Sequence, residues 1–341
     1  MSLLWSHAAR RRRLLGAAAL LAGAPLAVLA HHARPHVPRI YMIVYRGETP
    51  VEQGFRDWFR DNRLEAEFMV RSVDMDLSRV PALVAEARAW QADLVYTWAT
   101  PVTLAVAGKE GAVDPARHVT DIPVLFTMVS APVGAGLVRS LTSSQRNLTG
   151  VSHVVPVAMQ MKAICQYRRF DRMAAIYNPN EVNSLVNIRD MRAEAERAGI
   201  AFTALPIPLD AQARPRADAL PGMLAGLARD GADLLYLGPD SFLATQRLLV
   251  TETALALGLP VFSAVEVALR DGRALFGLVS GYVNVGRLTA HKAAQILYHR
   301  VKPAAIPIET PGTYSYLVNM DVARQLDMMP PARVLQVAEQ I

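Results

Sequence analysis

The chain has 341 residues, of which 52% are hydrophobic and 19% charged, a composition typical of folded proteins that excludes a disordered chain. Its single cysteine, Cys165, excludes an intrachain disulfide, a multi-cysteine zinc site and an iron–sulfur cluster. The first 34 residues hold five arginines and no acidic residue, so they supply five of the six units of the formal net charge of +6. The remaining chain is therefore close to neutral, and its charge does not favour a nucleic-acid partner.

The first predicted element is an export signal over residues 1–30. An arginine run ends at residue 13, an uncharged run rich in Ala and Leu occupies residues 14–30, and the small residues Val28 and Ala30 close it. This order is typical of a secretory signal, and Arg11-Arg12 also resembles a twin-arginine signal. The sequence therefore predicts a periplasmic protein exported by the Sec or the twin-arginine route. The alternative is retention by an uncleaved N-terminal anchor.

Apolar runs alternate with helical patterns from residue 38 onward. The first series of predicted elements comprises strand 40–45, helix 51–63, strand 67–73, helix 80–90, strand 93–97, helix 101–109 and strand 123–128. The second comprises helix 157–167, strand 173–177, helix 183–198, strand 202–206, helix 216–229, strand 233–237, helix 241–257, strand 260–263, a short helix near 266–270 and strand 274–279. Helix 285–300, a crossing segment at 305–318 and a final helix 331–341 come after them. The pattern predicts an α/β fold with two doubly wound, Rossmann-like lobes joined by multiple hinge crossovers.

Polar loops follow the predicted strands in both lobes, where the carboxyl ends of the strands face a common cleft. The helices that begin at these loops favour an anion such as a carboxylate at their N-termini. Asp240 follows a Gly-Pro turn and precedes a helix, so it either receives an ammonium group of a ligand or caps that helix. Trp98 and Tyr177 end strands, and they either stack on a planar ligand or pack in the core.

Sequence patterns of catalytic and cofactor sites are missing. HExxH, G-x-S-x-G, G-x-G-x-x-G and GxxxxGK[ST] do not occur in the sequence. Cys165 lies in an apolar helical pattern and is predicted to be a buried, inert thiol. We therefore expect a binding protein and not an enzyme, without a cofactor, a metal or a nucleic-acid partner.

Several motifs occur in an order that resembles one known family. They are Ile122-Pro123-Val124-Leu125-Phe126, Pro132-Val133 with Gly136-Leu137-Val138, Asn147-Leu148-Thr149-Gly150-Val151-Ser152, Tyr177-Asn178-Pro179, Asn183-Ser184, Tyr282 with Gly286, and Leu317-Val318-Asn319. Over about residues 38–338, the chain resembles the ABC-transporter substrate-binding protein family that includes the tryptophan/tyrosine-type binding proteins. It departs from the family pattern at Ala131, where an Asp is usual.

The resemblance implies a type I periplasmic-binding-protein fold whose two lobes close on a small ligand by hinge bending. It places lobe one at 38–152 plus 281–305 and lobe two at 153–280 plus 306–341. The cleft residues carried over are Thr100, Ser130, Asn178, Ser184, Asp240 and Ser263, with Ser280 and Tyr282 at the hinge.

From this resemblance we expect an exported solute receptor. It would capture a small polar ligand between the lobes, an amino acid or a similar compound, aromatic ones included. It would then deliver this ligand to an ABC permease in the inner membrane with its ATPase. The alternative is an extracytoplasmic ligand sensor that partners a membrane signalling protein.

Overall fold

The computed structural model of the protein describes residues 36–341. The export signal predicted at residues 1–30 lies outside this part of the chain. None of the helices between residues 36 and 341 combines the length and the apolar character that crossing a membrane requires. The 3₁₀ turns of this region are Leu77–Arg79, Ala217–Ala219 and Pro303–Ala305.

A parallel sheet with the strand order β2-β1-β3-β4-β5 forms the first half of the described chain. Its strands are β1 Arg39–Val44, β2 Glu67–Ser72, β3 Leu94–Trp98, β4 Val124–Thr127 and β5 Leu148–Gly150. The helices α1 Pro50–Asp61, α2 Val80–Ala89 and α3 Thr100–Ala107 connect them. Because β3 and β4 are buried along their whole length, apolar residues face both sides of the sheet, as in other parallel sheets covered by helices.

A second sheet has the order β12-β11-β10-β9-β8-β6-β7, and its strands are parallel except for the antiparallel pair β10–β11. Its strands are β6 Arg172–Tyr177, β7 Ala201–Pro206, β8 Leu234–Leu237, β9 Val261–Ser263, β10 Phe276–Val279, β11 Ser315–Val318 and β12 Glu339–Gln340. The helices that accompany it are α4 Val157–Tyr167, α5 Val182–Ala198, α6 Leu220–Arg229, α7 Ser241–Thr245, α8 Arg247–Ala256, α9 Val267–Arg270, α11 Met320–Gln325 and α12 Ala332–Leu335. The predicted α/β fold with two doubly wound sheets is confirmed.

Helix α10, Tyr282–Leu297, comes after the second sheet's β10 in sequence but packs on the first sheet. Two glycines allow its close approach to α1. A Cβ atom on Gly286 would lie 2.0 Å from the carbonyl oxygen of Val51, and one on Gly54 would lie 2.3 Å from that of Val283. We define lobe one as the first sheet with α1–α3 and α10, and lobe two as the second sheet with the other helices. The boundaries predicted at 152/153, 280/281 and 305/306 remain a proposal.

The chain segments that pass between the lobes contact one another. The backbone N–H of Ser152, just after β5, donates to the carbonyl oxygen of Glu309 at 2.8 Å. The buried Lys292 of α10 donates to the carboxylate of Glu309 at 2.5 Å and to the carbonyl oxygen of Pro307 at 2.6 Å. These bonds connect the crossing segment after β5 with the crossing segment after α10, and they connect the latter with α10 itself. The third crossing segment, between β10 and α10, leads directly into this helix.

Three local predictions are wrong. The helix predicted at 241–257 is interrupted at Gln246, whose φ of −93° and ψ of 13° separate α7 from α8. The final helix predicted at 331–341 ends at Leu335, and Glu339–Gln340 pairs with β11 instead, because the edge of that strand offers backbone partners. Cys165 is exposed, since the buried face of α4 is centred near Ile164, about 100° away around the helix.

Candidate functional site

The carboxyl ends of strands from both sheets meet at one cavity. Such a position, where loops from parallel strands converge, is the usual ligand site of open α/β folds. Its lining residues are Trp98, Ala99, Thr100, Met128, Ser130, His153, Asn183, Pro239, Asp240, Ser241, Ala244, Val265 and Tyr282. Both lobes and the crossing segments therefore contribute to its wall.

The wall from lobe one is the junction of β3 and α3. Trp98 ends the strand, Thr100 begins the helix, and Ala99 between them has a φ of 76° and a ψ of 155°, a region that L-residues rarely adopt. This conformation is held by the carbonyl oxygen of Ala99, which accepts from the backbone N–H of Thr103 at 3.0 Å and from its hydroxyl at 2.8 Å. Ala99 has no polar side chain, so the first turn of α3 is not capped.

Two polar side-chain atoms of this wall have no hydrogen-bond partner among residues 36–341. They are Nε1 of Trp98 and Oγ1 of Thr100, on residues that are 4% and 2% exposed. The first turn of a helix also leaves backbone N–H groups without partners inside the helix. Lobe one thus presents hydrogen-bond donors, together with the positive end of the α3 dipole, to the cavity.

The wall from lobe two is the start of α7, and Asp240 caps it. One carboxylate oxygen of Asp240 accepts from the backbone N–H of Leu243 at 2.9 Å. The other accepts from the backbone N–H of Asn178 and from the hydroxyl of Ser184, both at 2.8 Å. Of the two roles predicted for Asp240, helix capping is present in the structure. Burial raises the pKa of this carboxyl.

A second carboxylate, Glu181, covers the remaining amides at the start of α7. It accepts from the backbone N–H groups of Ser241 at 3.0 Å and of Phe242 at 3.2 Å, and from the side-chain amide of Asn183 at 3.1 Å. Burial raises the pKa of Glu181 to about 7, and the negative charge of Asp240 adds to this shift. Lobe two therefore has carboxylates at the start of α7, Asp240 on the cavity wall and Glu181 behind it, where lobe one presents a free helix N-terminus.

Unpaired buried polar atoms concentrate at this cavity. Within residues 36–341 they occur on Trp98, Thr100, His153, Asn183, Arg247 and Ser280, and the first four of these residues line it. Burial lowers the pKa of His153 to about 3, so its ring is neutral at physiological pH. Since folded proteins leave few buried polar groups without partners, this concentration points to a polar ligand.

Arg46 lies next to the lobe-one wall. Its guanidinium carbon is 5.2 Å from the ring centroid of Trp98, and its Nη1 donates to the carbonyl oxygen of Ser241 in lobe two at 3.5 Å. Burial lowers the pKa of Arg46, and the described residues provide no carboxylate in ion-pair contact with it. The cation adds positive potential on the lobe-one side of the cavity.

The structure places half of the predicted site residues on the cavity wall. The five that line the cavity are Trp98, Thr100, Ser130, Asp240 and Tyr282. The five that do not line it are Tyr177, Asn178, Ser184, Ser263 and Ser280.

Each residue of this second group has its own place. Asn178 and Ser184 hold Asp240 from behind, and the hydroxyl of Ser263 donates to the carbonyl oxygen of Val265 at 2.9 Å. Tyr177 packs at the border of the lobe-two core, and Ser280 is buried two residues before Tyr282.

Several wall residues were not predicted individually. Four of them lie in the polar loops predicted after strands: Ala99, Met128, Pro239 and Ser241. The sequence thus indicated the loops but not these positions. His153 gave no signal, because a lone histidine in a crossing segment has no pattern. The same sequence motif that singled out Ser184 contains Asn183, and it is Asn183 that lines the cavity. Within residues 36–341, no three His, Cys, Asp or Glu side chains are grouped as metal ligands.

Two lobes of parallel sheet, three crossing segments and a cavity between the strand ends define a type I periplasmic-binding-protein fold. Solved structures of similar fold agree with this class. The ABC domain in complex with L-Trp from Streptococcus pneumonia has a TM-score of 0.78 and 22% identity, over 89% of this chain and 99% of that one. A conserved domain protein from Vibrio cholerae has a TM-score of 0.78 and 21% identity, also over 89% and 99%.

Sequence comparison shows the family. The family model described as ABC transporter substrate binding protein matches residues 49–341, and the chain belongs to this family. A curated relative is the tyrosine-binding protein of Clostridioides difficile, 22% identical over 278 residues that span 81% of this chain and 74% of the relative. The resemblance predicted from the motifs is confirmed. The family is one of solute-binding proteins and not of enzymes.

Proposed function

We propose that the protein is an exported receptor that binds a free α-amino acid between its lobes and delivers it to an ABC permease. The observation that carries this proposal is the opposite chemistry of the two cavity walls. At α3, the free helix N-terminus, the hydroxyl of Thr100 and the indole N–H of Trp98 suit a carboxylate. At α7, the negative charge of Asp240 on the wall and of Glu181 behind it suits an ammonium group.

The remaining wall suits an apolar or aromatic side chain. Trp98, Met128, Val265 and Tyr282 supply apolar and aromatic surface around the polar groups. The relatives support an aromatic amino acid, since one is named for tyrosine and another structure holds L-Trp. A zwitterion with such a side chain would therefore satisfy donors on one wall, acceptors on the other, and the apolar surface between them.

Export and delivery rest on family membership and on the predicted signal at residues 1–30. Substrate-binding proteins of ABC transporters act outside the cytoplasmic membrane, and the two-lobe architecture supports hinge closure around a ligand. Closure favours the ligand-bound form only if the ligand binds the closed form more tightly than the open form. A ligand that bridges the two walls meets this condition, because only the closed form brings both walls to it.

A thermal-shift screen tests the ligand class. The purified protein is heated with amino acids, nucleosides, sugars and small carboxylates. A ligand present at about 100 times its Kd adds roughly 2.7 kcal/mol to the free energy of unfolding, a shift of several degrees in Tm. We expect the shift with aromatic amino acids first. Shifts with sugars or nucleosides and none with amino acids would contradict the proposal.

A further inference from the structure

The carboxylate of Asp240 already accepts hydrogen bonds from other groups of the protein. Its two oxygens accept three hydrogen bonds, from the backbone N–H groups of Leu243 and Asn178 and from the hydroxyl of Ser184. A carboxylate has about four favourable acceptor positions, and these bonds come from behind the cavity wall. Asp240 lines the cavity but has little capacity left for a direct bond to an ammonium group.

Asn183, by contrast, has an acceptor that the protein leaves unused. Its Nδ2 donates to the carboxylate of Glu181 at 3.1 Å and to the carbonyl oxygen of Pro239 at 2.9 Å. The carbonyl oxygen of Pro239 is an acceptor only, so it fixes which end of the amide is nitrogen. The Oδ1 atom is consequently an acceptor, and it is buried without a partner in the described chain on a residue that is 3% exposed.

Among the described residues, no other unpaired side-chain atom of the cavity wall is limited to accepting. The indole N–H of Trp98 only donates, and the hydroxyl of Thr100 and the neutral ring of His153 can each donate or accept. A ligand that pairs the free polar atoms of the wall must therefore donate a hydrogen bond to Oδ1 of Asn183. Among the groups of an amino acid, the ammonium group offers such donors whatever the side chain is.

Glu181 strengthens this acceptor. A ligand N–H bonded to Oδ1 of Asn183 would continue through Nδ2 of Asn183 to the carboxylate of Glu181, and linked hydrogen bonds polarise one another. Burial and the neighbouring Asp240 raise the pKa of Glu181, so a nearby positive charge would stabilise its ionised form. The negative charge of Glu181 and of the neighbouring Asp240 thus makes Oδ1 of Asn183 a stronger acceptor for an ammonium group of the ligand.

We infer that Asn183 is the residue that receives the ammonium group of the ligand, with Glu181 as the positioning residue behind it. This inference rests on the proposed function, since it concerns an amino acid in the same cavity. It differs from a direct ammonium contact with Asp240, which the hydrogen bonds of that carboxylate disfavour.

A comparison of paired ligands and paired variants tests the inference. Kd values are measured by titration calorimetry for L-tyrosine and L-tryptophan, and for the matching arylpropanoates that lack only the amino group. The variants are Asn183→Ala and, as a matched control, Asn178→Ala. Both asparagines donate to Glu181, at 3.1 Å and 3.4 Å, but only Asn183 lines the cavity.

We expect wild type to prefer the amino acid over its arylpropanoate by about tenfold or more, because a hydrogen bond to a charged group is worth that much. Asn183→Ala should reduce this ratio toward one by weakening the amino acid alone, and Asn178→Ala should keep it. A ratio that survives in Asn183→Ala overturns the inference while the proposed function stands. A ratio that collapses equally in both variants also overturns it, since the effect then comes from Glu181 alone.

Two further results separate the inference from the proposed function. Wild type that binds the amino acids and the arylpropanoates equally overturns the ammonium site, although a carboxylate receptor remains. Wild type that binds none of these probes contradicts the proposed function and the inference together. Asn183→Leu, which keeps the size of the side chain, repeats the test if Asn183→Ala does not melt cooperatively.

Discussion

Helices α3 and α7 begin in equivalent places, each directly after a parallel strand whose carboxyl end faces the cavity, but their first turns are used differently. At α7, the backbone N–H groups of Ser241, Phe242 and Leu243 all donate to carboxylates of the protein. At α3, the residue before the helix is Ala99, which has no polar side chain to accept such bonds. The second position of that helix is Pro101, which has no N–H group.

The difference shows that the fold supplies the helix ends, while single residues decide what they bind. A free helix N-terminus carries a partial positive charge that attracts an anion, and a carboxylate placed on it cancels that charge. Two carboxylates on the short α7 more than cancel it. The two ends of one cavity therefore acquire opposite polarity from the same secondary structure, which is what a zwitterion requires.

The largest expected effect comes from removing the cap of α7. Asp240→Ala would leave the backbone N–H groups of Leu243 and Asn178 and the hydroxyl of Ser184 without an acceptor in a buried place. We expect a loss of about 3 kcal/mol in the free energy of unfolding. Urea denaturation of the ligand-free protein measures it.

Asp76→Ala serves as the control for this prediction. Asp76 caps the 3₁₀ turn Leu77–Arg79 by accepting from the backbone N–H of Ser78 at 3.0 Å, but it is exposed. Water can replace that acceptor, so the loss there should be clearly smaller. Equal losses in the two variants would contradict the view that Asp240 is a buried structural carboxylate.

The contrast between α3 and α7 could be predicted only in part from the sequence. Strand ends, polar loops and the cap position of Asp240 follow from local patterns, and these were found. The position of Glu181 on the amides of α7 depends on a contact between residues 60 apart in sequence, which no local pattern reports. The same holds for Arg46, which contacts Ser241 across 195 residues.

The fold shows the same division between local and distant causes. The strands β1, β3 and β8 were found because continuous apolar runs need burial on both faces. The strand β5 has only three residues and ends in Gly150, where a Cβ atom would lie 2.3 Å from Phe126. The strand β12 has two exposed residues, and its pairing depends on the free edge of β11 rather than on its own sequence.

A smaller effect should appear as a pH dependence of stability that Glu181 causes. Its pKa is raised to about 7 in the folded protein, mainly by burial, so the folded state binds more protons than the unfolded state between about pH 4.5 and 7. The free energy of unfolding should therefore fall as the pH rises through this range. Glu181→Gln should make this fall in the free energy of unfolding smaller by an amount on the order of 2 kcal/mol.

Denaturation at pH 5 and at pH 8 measures this dependence, and Glu196→Gln, on an exposed face of α5, is the control. Asp240, with its own raised pKa, contributes in the same direction and remains in both variants. If Glu181→Gln leaves the difference between the two pH values unchanged, Glu181 is not the group that titrates.

The smallest expected effect concerns two threonines of α3. The hydroxyl of Thr100 has no partner among residues 36–341, whereas that of Thr103 donates to the carbonyl oxygen of Ala99 at 2.8 Å. Thr100→Val should leave the stability of the ligand-free protein unchanged or raise it slightly, because it removes a buried group without a hydrogen bond. It should weaken binding of L-tyrosine or L-tryptophan about tenfold, or about 1.4 kcal/mol, since the ligand carboxylate loses a donor.

Thr103→Val is the matched control, and it should show the opposite pattern in stability. Its hydroxyl also lies 2.9 Å from that of Thr97, so the substitution removes satisfied hydrogen bonds and should cost about 1 kcal/mol of stability. Calorimetric titration and thermal melting of both variants separate the two roles. If Thr100→Val destabilises the ligand-free protein as much as Thr103→Val does and leaves affinity unchanged, the hydroxyl of Thr100 is structural. The first turn of α3 would then be no more available to a ligand than that of α7, and the two walls of the cavity would not differ in polarity.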